Sequence, residues 1–348
     1  MAPTSLNGKS LNLADSPASQ AMEAVMSTVA SDSTSVLHLI VDEVRSECDD
    51  VLTLSLIDST GEDLPVWEEG AHIDIHLPGD LIRQYSLHSD PGDRSRYEVA
   101  ILRDPNSRGG SQYIHEEVTK GTTLTTSLPR NNFSLKPADE YLFIAGGIGI
   151  TPILPMMRAA AARERPHRLI YAGRTRTKMA FVEQLGDQDN VQFCVSDEET
   201  RMNVDDLLGS QLDPGVHIYS CGPERLLDAL AARCAELGLS KQLHAERFSG
   251  TAVELDPNAE VAFEVELSRS GKTLTVAPDQ TILDAVLACG IKASNSCAEG
   301  VCGSCETTVL EGEVDHRDQI LDEDEKSEND VMMICCSRAH SARLVLDL

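Results

Sequence analysis

The sequence predicts a multidomain protein: an antiparallel β-barrel, then an α/β domain on a parallel sheet, then a small α+β domain. Three observations carry this. From about Ser35 to Phe133 apolar residues recur at every second position, as half-buried strands require. After Pro137 short apolar runs alternate with helical stretches, and β-α-β-α order implies a parallel sheet covered by helices. From Glu260 onward a hairpin and one amphipathic helix lead into a loop that carries Cys297, Cys302 and Cys305. A chain of 348 residues has room for two or three such domains. The expected division is an arm over 1–33, the barrel over 34–136, the α/β domain over 137–248, a linker over 249–259 and the third domain over 260–348.

The arm is rich in Ser, Thr and Ala, with a short helix expected over Ala21–Val29. It lacks the basic start and apolar core of a secretory signal and the arginines of a mitochondrial presequence, so a cytoplasmic location is expected. No apolar run approaches the roughly 18 residues of a membrane span. In the barrel segment Leu52, Leu54 and Leu56 share one face; Ile73, Ile75 and Leu77 share another, with His72, Asp74 and His76 opposite. Ser59-Thr60-Gly61 and Pro91-Gly92-Asp93 supply turns. The α/β segment offers strands at Tyr141–Ala145, Leu169–Ala172, Val191–Val195 and His217–Cys221, and helices at Ile153–Arg163 and Arg225–Leu237. Gly250 and Pro257 mark the linker. Beyond it come the hairpin Phe263–Leu267 and Thr273–Val276, turning at Ser270-Gly271, and a helix over Thr281–Cys289.

A formal charge of −28 disfavours nucleic acid or an anionic membrane surface as partner and leaves room for a protein with a basic docking face. Ten cysteines without an export signal argue against a disulfide framework. Cys48, Cys194, Cys234, Cys289 and Cys336 show no ligand spacing and read as small buried hydrophobes.

The remaining cysteines carry chemistry. Cys297, Cys302 and Cys305 stand as C-x4-C-x2-C, and Cys335 follows later, the plant-type arrangement in which four thiolates hold a [2Fe–2S] cluster. Gly300 and Gly303 let the backbone wrap closely. A four-cysteine zinc site is the competing reading, but zinc ligands usually come as two C-x2-C pairs. A Rieske centre needs two histidines, and no C-x-H pair occurs. Cys335 and Cys336 are adjacent and only one can be the fourth ligand; the spacing favours Cys335.

Two further constellations point to bound nucleotides. Arg83-Gln84-Tyr85-Ser86 joins a cation suited to phosphate, a ring able to lie on an isoalloxazine and a hydroxyl able to reach its N5 edge. Arg108-Gly109-Gly110-Ser111 then offers an anion nest ahead of a helical stretch, Gln112–Val118. In the α/β segment Tyr141–Ala145 runs into Gly146-Gly147-Ile148-Gly149-Ile150-Thr151-Pro152 and a helix, the strand–glycine turn–helix recipe for a pyrophosphate cradle. The G-x-G-x-x-G fingerprint is absent, and Gly173-Arg174-Thr175-Arg176 follows the second strand where an acidic ribose clamp would stand. Ser220-Cys221-Gly222-Pro223 places a second glycine turn at the same sheet edge.

R-x-Y-S, G-G-I-G-I-T-P and C-G-P, in that order, resemble the ferredoxin-reductase flavoprotein superfamily. With the C-terminal cysteine loop they resemble the phthalate dioxygenase reductase family, which includes vanillate O-demethylase reductases. The likeness runs from about residue 35 to 348 and extends to Gly303–Glu306, Gly312–Asp318 and Met333–Ala339. It implies FMN in the barrel, NAD(P)H in the middle domain, and a β-grasp ferredoxin domain whose cluster faces the flavin. By this resemblance FMN would meet Arg83, Tyr85 and Ser86, and the backbone of the strand at Ala100, Ile101 and Leu102 would meet the flavin ring. Gly109, Gly110 and Ser111 would hold its phosphate, and Phe248 would cover its ring. Thr151 would sit near both flavin and nicotinamide. The nicotinamide nucleotide would lie against Gly146, Gly147, Gly149, Cys221, Gly222 and Pro223, with Cys221 close to its C4. Ser86, Thr151 and Cys221 would position the reacting rings.

The resemblance further implies a reductase that carries electrons from NAD(P)H through FMN and the cluster to a separate terminal oxygenase of Rieske type, acting on an aromatic acid or methoxy-aromatic compound. NADH is favoured over NADPH, although Arg174 and Arg176 stand where a 2′-phosphate would need them. The acidic segment Leu321–Asp330 is a candidate docking face for that partner and equally a solvated charge run. A di-iron hydroxylase as acceptor and a non-catalytic redox sensor are the competing readings.

Overall fold

The computed structural model describes residues 36–348 apart from 80, 106–108, 187, 210, 211, 214, 249–254 and 256–259. The expected arm helix, nearly all of the expected linker and Arg108 therefore lie outside the described residues. Among the described residues no helix is long and apolar enough to cross a membrane.

Strands β1 (Val36–Cys48), β2 (Val51–Asp58), β3 (His72–Leu77), β4 (Leu81–Ser86), β5 (Tyr97–Leu102) and β6 (Thr123–Ser127) form one sheet in the order β4-β3-β6-β1-β2-β5. Every pairing in it is antiparallel. A bridge between Leu87 and Val99 joins the two ends of that order and closes the barrel. Leu52, Leu54, Leu56, Ile73, Ile75 and Leu77 fill its interior. The outward face departs from simple alternation. Val51, Thr53, Ser55, His72 and Asp74 are buried as well, because other parts of the chain cover this side of the barrel.

The second sheet joins β7 (Glu140–Gly146), β8 (His167–Gly173), β9 (Val191–Val195), β10 (Val216–Cys221) and β11 (Leu243–Glu246) in the order β11-β10-β7-β8-β9, all parallel. The sequence reading assigns no strand at β11. The central strand β7 alternates: Tyr141, Phe143 and Ala145 enter one core, Leu142 and Ile144 the other. The helix Ile150–Ala162 covers the first face with Ile150, Ile153, Met156 and Ala160, and Glu224–Leu237 covers the second with Leu226, Leu230 and Cys234. The first helix starts three residues ahead of the sequence reading, because Pro152 falls in its first turn, where a missing N–H removes no hydrogen bond. The first core does not stop at the domain. It takes in Val51 and Ala100 of the barrel together with Phe133 and Leu135. Arg158 of the same helix donates to the His88 and Ser89 carbonyls beyond β4.

The third sheet is mixed. β12 (Phe263–Leu267), β13 (Lys272–Val276), β14 (Glu306–Glu311), β16 (Val331–Met333) and β18 (Arg343–Leu346) run in the order β13-β12-β18-β14-β16, with β12 and β18 parallel; β15 (Val314–Asp315) and β17 (Arg338–Ala339) form a small ribbon. The sheet grips the helix Ile282–Ala288, whose Ile282, Leu283 and Val286 join Phe263, Val265 and Met332 in a core confined to residues 263–348. Thr281 and Asp284 close a capping box at the helix start, with the Asp284 N–H donating to Thr281 Oγ1 at 3.0 Å. Cys194, Cys234 and Cys336 are buried, as expected of small hydrophobes. Cys48 and Cys289 are only half-buried, since one ends β1 and the other caps a helix.

Candidate functional site

A cavity of about 440 Å³, a size suited to a cofactor, opens where the three sheets meet. Tyr85, Ser86, Ala100 and Leu102 line it from the barrel. Gly147, Thr151, Pro223, Glu246 and Phe248 line it from the α/β domain, and Val301, Gln319 and Ile320 from the third.

The glycine turns have two different jobs. β7 and β10 are neighbours whose chains turn away in opposite directions along the sheet, so their C-terminal ends bound the crevice where ligands of open α/β sheets bind. At Gly149 a Cβ would lie 2.2 Å from the Cys221 carbonyl oxygen, and at Gly146 it would lie 2.6 Å from Pro223 Cδ. A Cβ on Gly222 would meet Gly146 Cα at 2.9 Å. These three glycines let the two turns pack directly on one another. Gly147 differs: its φ is 56° and a Cβ there would meet nothing within 4 Å. Thr151, almost wholly buried, donates through Oγ1 to the Ile148 carbonyl at 3.1 Å and so braces the turn.

An anion cradle lies beside the cavity. Gly109, with φ 94°, caps the helix Gly110–Glu117. A Cβ on Gly110 would stand 2.7 Å from Arg83 Cγ and 2.8 Å from its Nε, so the arginine is laid across the helix N-terminus because the residue beneath is glycine. Backbone N–H groups, the positive end of a helix and a guanidinium converge there, which fits a phosphate. Arg83, Gly109, Gly110 and Ser111 do not line the main cavity. The link is Asp104, which lines the cavity and donates its N–H to Ser111 Oγ at 3.2 Å.

Along β5 the Ile101 side chain points into the barrel core while its neighbours Ala100 and Leu102 line the cavity, as period two dictates. One residue stands differently from expectation. Cys221 is fully buried and does not line the cavity. Burial, and then the charge of Glu246, push its thiol well up. Glu246, paired with Cys221 across the β10–β11 ladder, does line the cavity; burial raises its carboxyl to about 8, and its Oε2 has no hydrogen-bond partner among the described residues. His72, also at the wall, is held down to about 4 by burial and then by the Arg130 charge. Both groups are therefore neutral at pH 7. Phe248 is 45% exposed at the rim. Arg176, on the other hand, is engaged: its Nε donates to Glu198 at 2.7 Å and its guanidinium stacks 5.1 Å over Phe193.

The cysteine loop forms the remaining wall. The Cys302 thiol lies against Cys297, and Cys305 lies against Cys335; these contacts, and then burial, push both thiols far up. The Cys297 thiol also lies against Cys335, so contacts run from Cys302 through Cys297 and Cys335 to Cys305. Thiols so crowded release their protons to a metal far more readily than to water, and a cationic centre removes the penalty of gathering thiolates together. The donor set fits an iron–sulfur cluster. The Glu299 N–H donates to Cys297 Sγ at 3.2 Å and the Cys297 N–H to Cys302 Sγ at 3.5 Å. The Cys336 thiol also lies against Cys335, while its Sγ points to the Met333 carbonyl at 3.7 Å and occupies the space that a Cβ on Gly300 would need. The barrel grips this loop. Asn132 Nδ2 and Gln84 Nε2 both donate to the Cys302 carbonyl, at 3.1 and 3.5 Å. Glu246, His72, Asn132 and Arg130 escaped the sequence reading, since a lone buried polar residue has no spacing to betray it. Gln84 lay in view inside R-x-Y-S.

Comparison with known proteins agrees with this arrangement. The oxidoreductase NAD-binding domain family matches residues 143–232, and the 2Fe-2S iron-sulfur cluster binding domain family matches residues 265–340. A vanillate O-demethylase oxidoreductase of Pseudomonas sp. (strain HR199 / DSM 7063) is 41% identical over 323 residues, which cover 90% of this chain and 100% of that protein. The solved structure of a phthalate dioxygenase reductase, described as modular for electron transfer from pyridine nucleotides to [2Fe-2S], is 35% identical with a TM-score of 0.64, covering 90% of this chain and 98% of that one. An intact type IV self-sufficient cytochrome P450 monooxygenase is 45% identical with a TM-score of 0.86; the match covers 91% of this chain and 41% of that longer one.

Proposed function

Because the chain belongs to the phthalate dioxygenase reductase-like family and is an NAD(P)H-dependent iron–sulfur oxidoreductase, we propose that it takes hydride from NADH at an FMN in the barrel and delivers electrons one at a time, through its [2Fe–2S] cluster, to a terminal oxygenase of Rieske type. The observation that carries this reading is the cavity itself, walled by the R-x-Y-S strand, the glycine turns and the residues next to the cysteine ligands. When bound, flavin supplies the exchange between a two-electron donor and a one-electron acceptor.

The chain's own residues supply the rest. Arg83, Gly109, Gly110 and Ser111 anchor the FMN phosphate, and Tyr85 and Phe248 enclose its ring. Ser86 and Thr151 orient the flavin edge against the nicotinamide, which enters over Gly147 and the Gly222-Pro223 turn. Proximity of this kind replaces an encounter in solution by a fixed geometry. Cys221 acts from behind the cavity wall, through the β10 turn, and Glu246 presents a neutral carboxyl to the same space. Cys297, Cys302, Cys305 and Cys335 hold the cluster. NADH is favoured because Arg176 is already committed to Glu198 and Phe193, which leaves it poorly placed to clamp a 2′-phosphate.

A second acceptor is favoured by one observation. The 45% identity to the self-sufficient cytochrome P450 monooxygenase exceeds that to the phthalate dioxygenase reductase structure, so a haem oxygenase is the competing partner.

The reading is tested by anaerobic stopped-flow absorbance with NADH and, separately, NADPH. Flavin bleaching followed by loss of the red-brown bands is expected, faster with NADH; bands that never change would overturn it. Cys302→Ser and Cys335→Ser should keep NADH-driven ferricyanide reduction and lose cytochrome c reduction, whereas Cys336→Ser should keep both. Reduction of a purified Rieske oxygenase in preference to a cytochrome P450 haem domain decides the acceptor.

A further inference from the structure

The contact between the barrel and the cysteine loop contains a relay that the electron path does not require. Arg130 is fixed by its backbone, which exchanges both hydrogen bonds with His72, at 2.8 and 3.0 Å. Its Nη2 donates to Asp74 Oδ2 at 2.8 Å and, across the domain boundary, to Ser304 Oγ at 3.2 Å. Ser304 Oγ in turn stands 3.2 Å from Cys302 Sγ. The directions follow from donor inventory. A guanidinium has no acceptor, so Ser304 must accept from Arg130. A serine hydroxyl has one proton, and a metal-bound thiolate has none, so that proton is turned on the Cys302 sulfur. Asp74, buried within the barrel wall, holds the guanidinium in place from the other side.

We propose that Arg130 is a positioning residue through which the barrel raises the reduction potential of the iron–sulfur centre, by aiming the Ser304 hydroxyl at the Cys302 sulfur. The inference rests on Cys302 being a cluster ligand, as argued above. Reduction adds negative charge to the cluster, and a hydrogen bond to a ligand sulfur stabilises that extra charge. The bond is correctly aimed only while the third domain is docked on the barrel. The centre is then the better acceptor in the docked state, where its electrons arrive.

The experiment is a redox titration of the purified holoprotein followed by the electron paramagnetic resonance signal of the reduced cluster, for wild type, Arg130→Gln, Ser304→Ala and the double variant. Both single variants should lower the cluster potential and leave the flavin potential unchanged. A tenfold loss in the equilibrium constant for reducing the cluster is the expected size, ~59 mV for a one-electron couple. The double variant should fall no further than Ser304→Ala alone, because the arginine acts through the serine. Additive shifts would mean that Arg130 acts by its charge alone and would overturn the relay. So would an unchanged or raised potential in Arg130→Gln, since loosening the docked loop admits water, which favours the more charged state. Should Arg130→Gln lose its cluster, Arg130→Lys serves the same test, since one flexible ammonium cannot hold both Asp74 and Ser304. Absence of any cluster signal in the wild type would instead refute the functional reading on which the relay depends.

Discussion

The barrel meets its two neighbours in opposite ways. Toward the α/β domain the boundary is apolar: Val51 and Ala100 of the barrel share a core with Phe143, Ile150 and Met156, and a Cβ on Gly70 would come within 3.0 Å of Met156 Cε. Toward the third domain the boundary is polar, with hydrogen bonds from Gln84, Arg130 and Asn132 to a single loop, and among the described residues that domain's core takes in none of the barrel. The difference matches what crosses each boundary. Hydride transfer needs atoms held to a fraction of an ångström, which a close-packed core provides. An electron needs only proximity, so a seam of hydrogen bonds suffices there.

The sharpest way to break the comparison is at the apolar seam. Met156→Ala should destabilise the protein by about 2–5 kcal/mol, as large-to-small core changes do. Thermal unfolding should then show the flavin signal lost well before the cluster bands, because the third domain keeps its own core. Simultaneous loss of both would mean that the two seams are energetically one.

Next in size is Glu246, half-buried at the cavity. Its folded pKa of about 8 lies above its ordinary 4.5, so the folded state keeps a proton that the unfolded state releases between those values. Stability therefore falls as pH rises from 4.5 to about 8 and stays reduced above that. Glu246→Gln has no such proton to lose. It should be more stable than wild type at pH 9 by a few kcal/mol, at ~1.4 kcal/mol per pK unit, and the difference should vanish by pH 4. Melting temperatures of the two proteins across that range check it.

The polar seam should be the gentlest to break. Asn132→Ala removes one hydrogen bond to the Cys302 carbonyl, a loss of about 0.5–1.5 kcal/mol. Melting should barely move and NADH–ferricyanide activity should persist, while cytochrome c reduction slows. An equal fall in both activities would show that Asn132 serves the flavin side rather than the docking of the loop.

What was legible beforehand was whatever repeats or has a spacing. Period-two alternation announced the barrel, βα alternation the parallel sheet, and C-x4-C-x2-C with a distant cysteine the ligand loop. Each is a local pattern, because strand pleat, helix pitch and metal geometry all act over a few residues. The motif glycines were visible too, but their reasons were not. Gly146, Gly149 and Gly222 are glycine because two turns far apart in sequence press on each other, and Gly110 because Arg83 crosses it.

Tertiary structure alone decided the rest. Burial on both faces of β2 depends on what covers the barrel, which no residue within the strand records. Gly303 looked like a device for wrapping the cluster, yet a Cβ there would also strike Asn132 Nδ2 at 2.6 Å, so docking selects it as well. Glu246 and His72 became neutral wall groups, and Arg130 a bridge to Ser304, through enclosure by segments distant in the chain. Composition and spacing determine which local structures form and which cofactors they suit. Desolvation and cross-domain contact are properties of the assembled protein, and they determine how those groups behave.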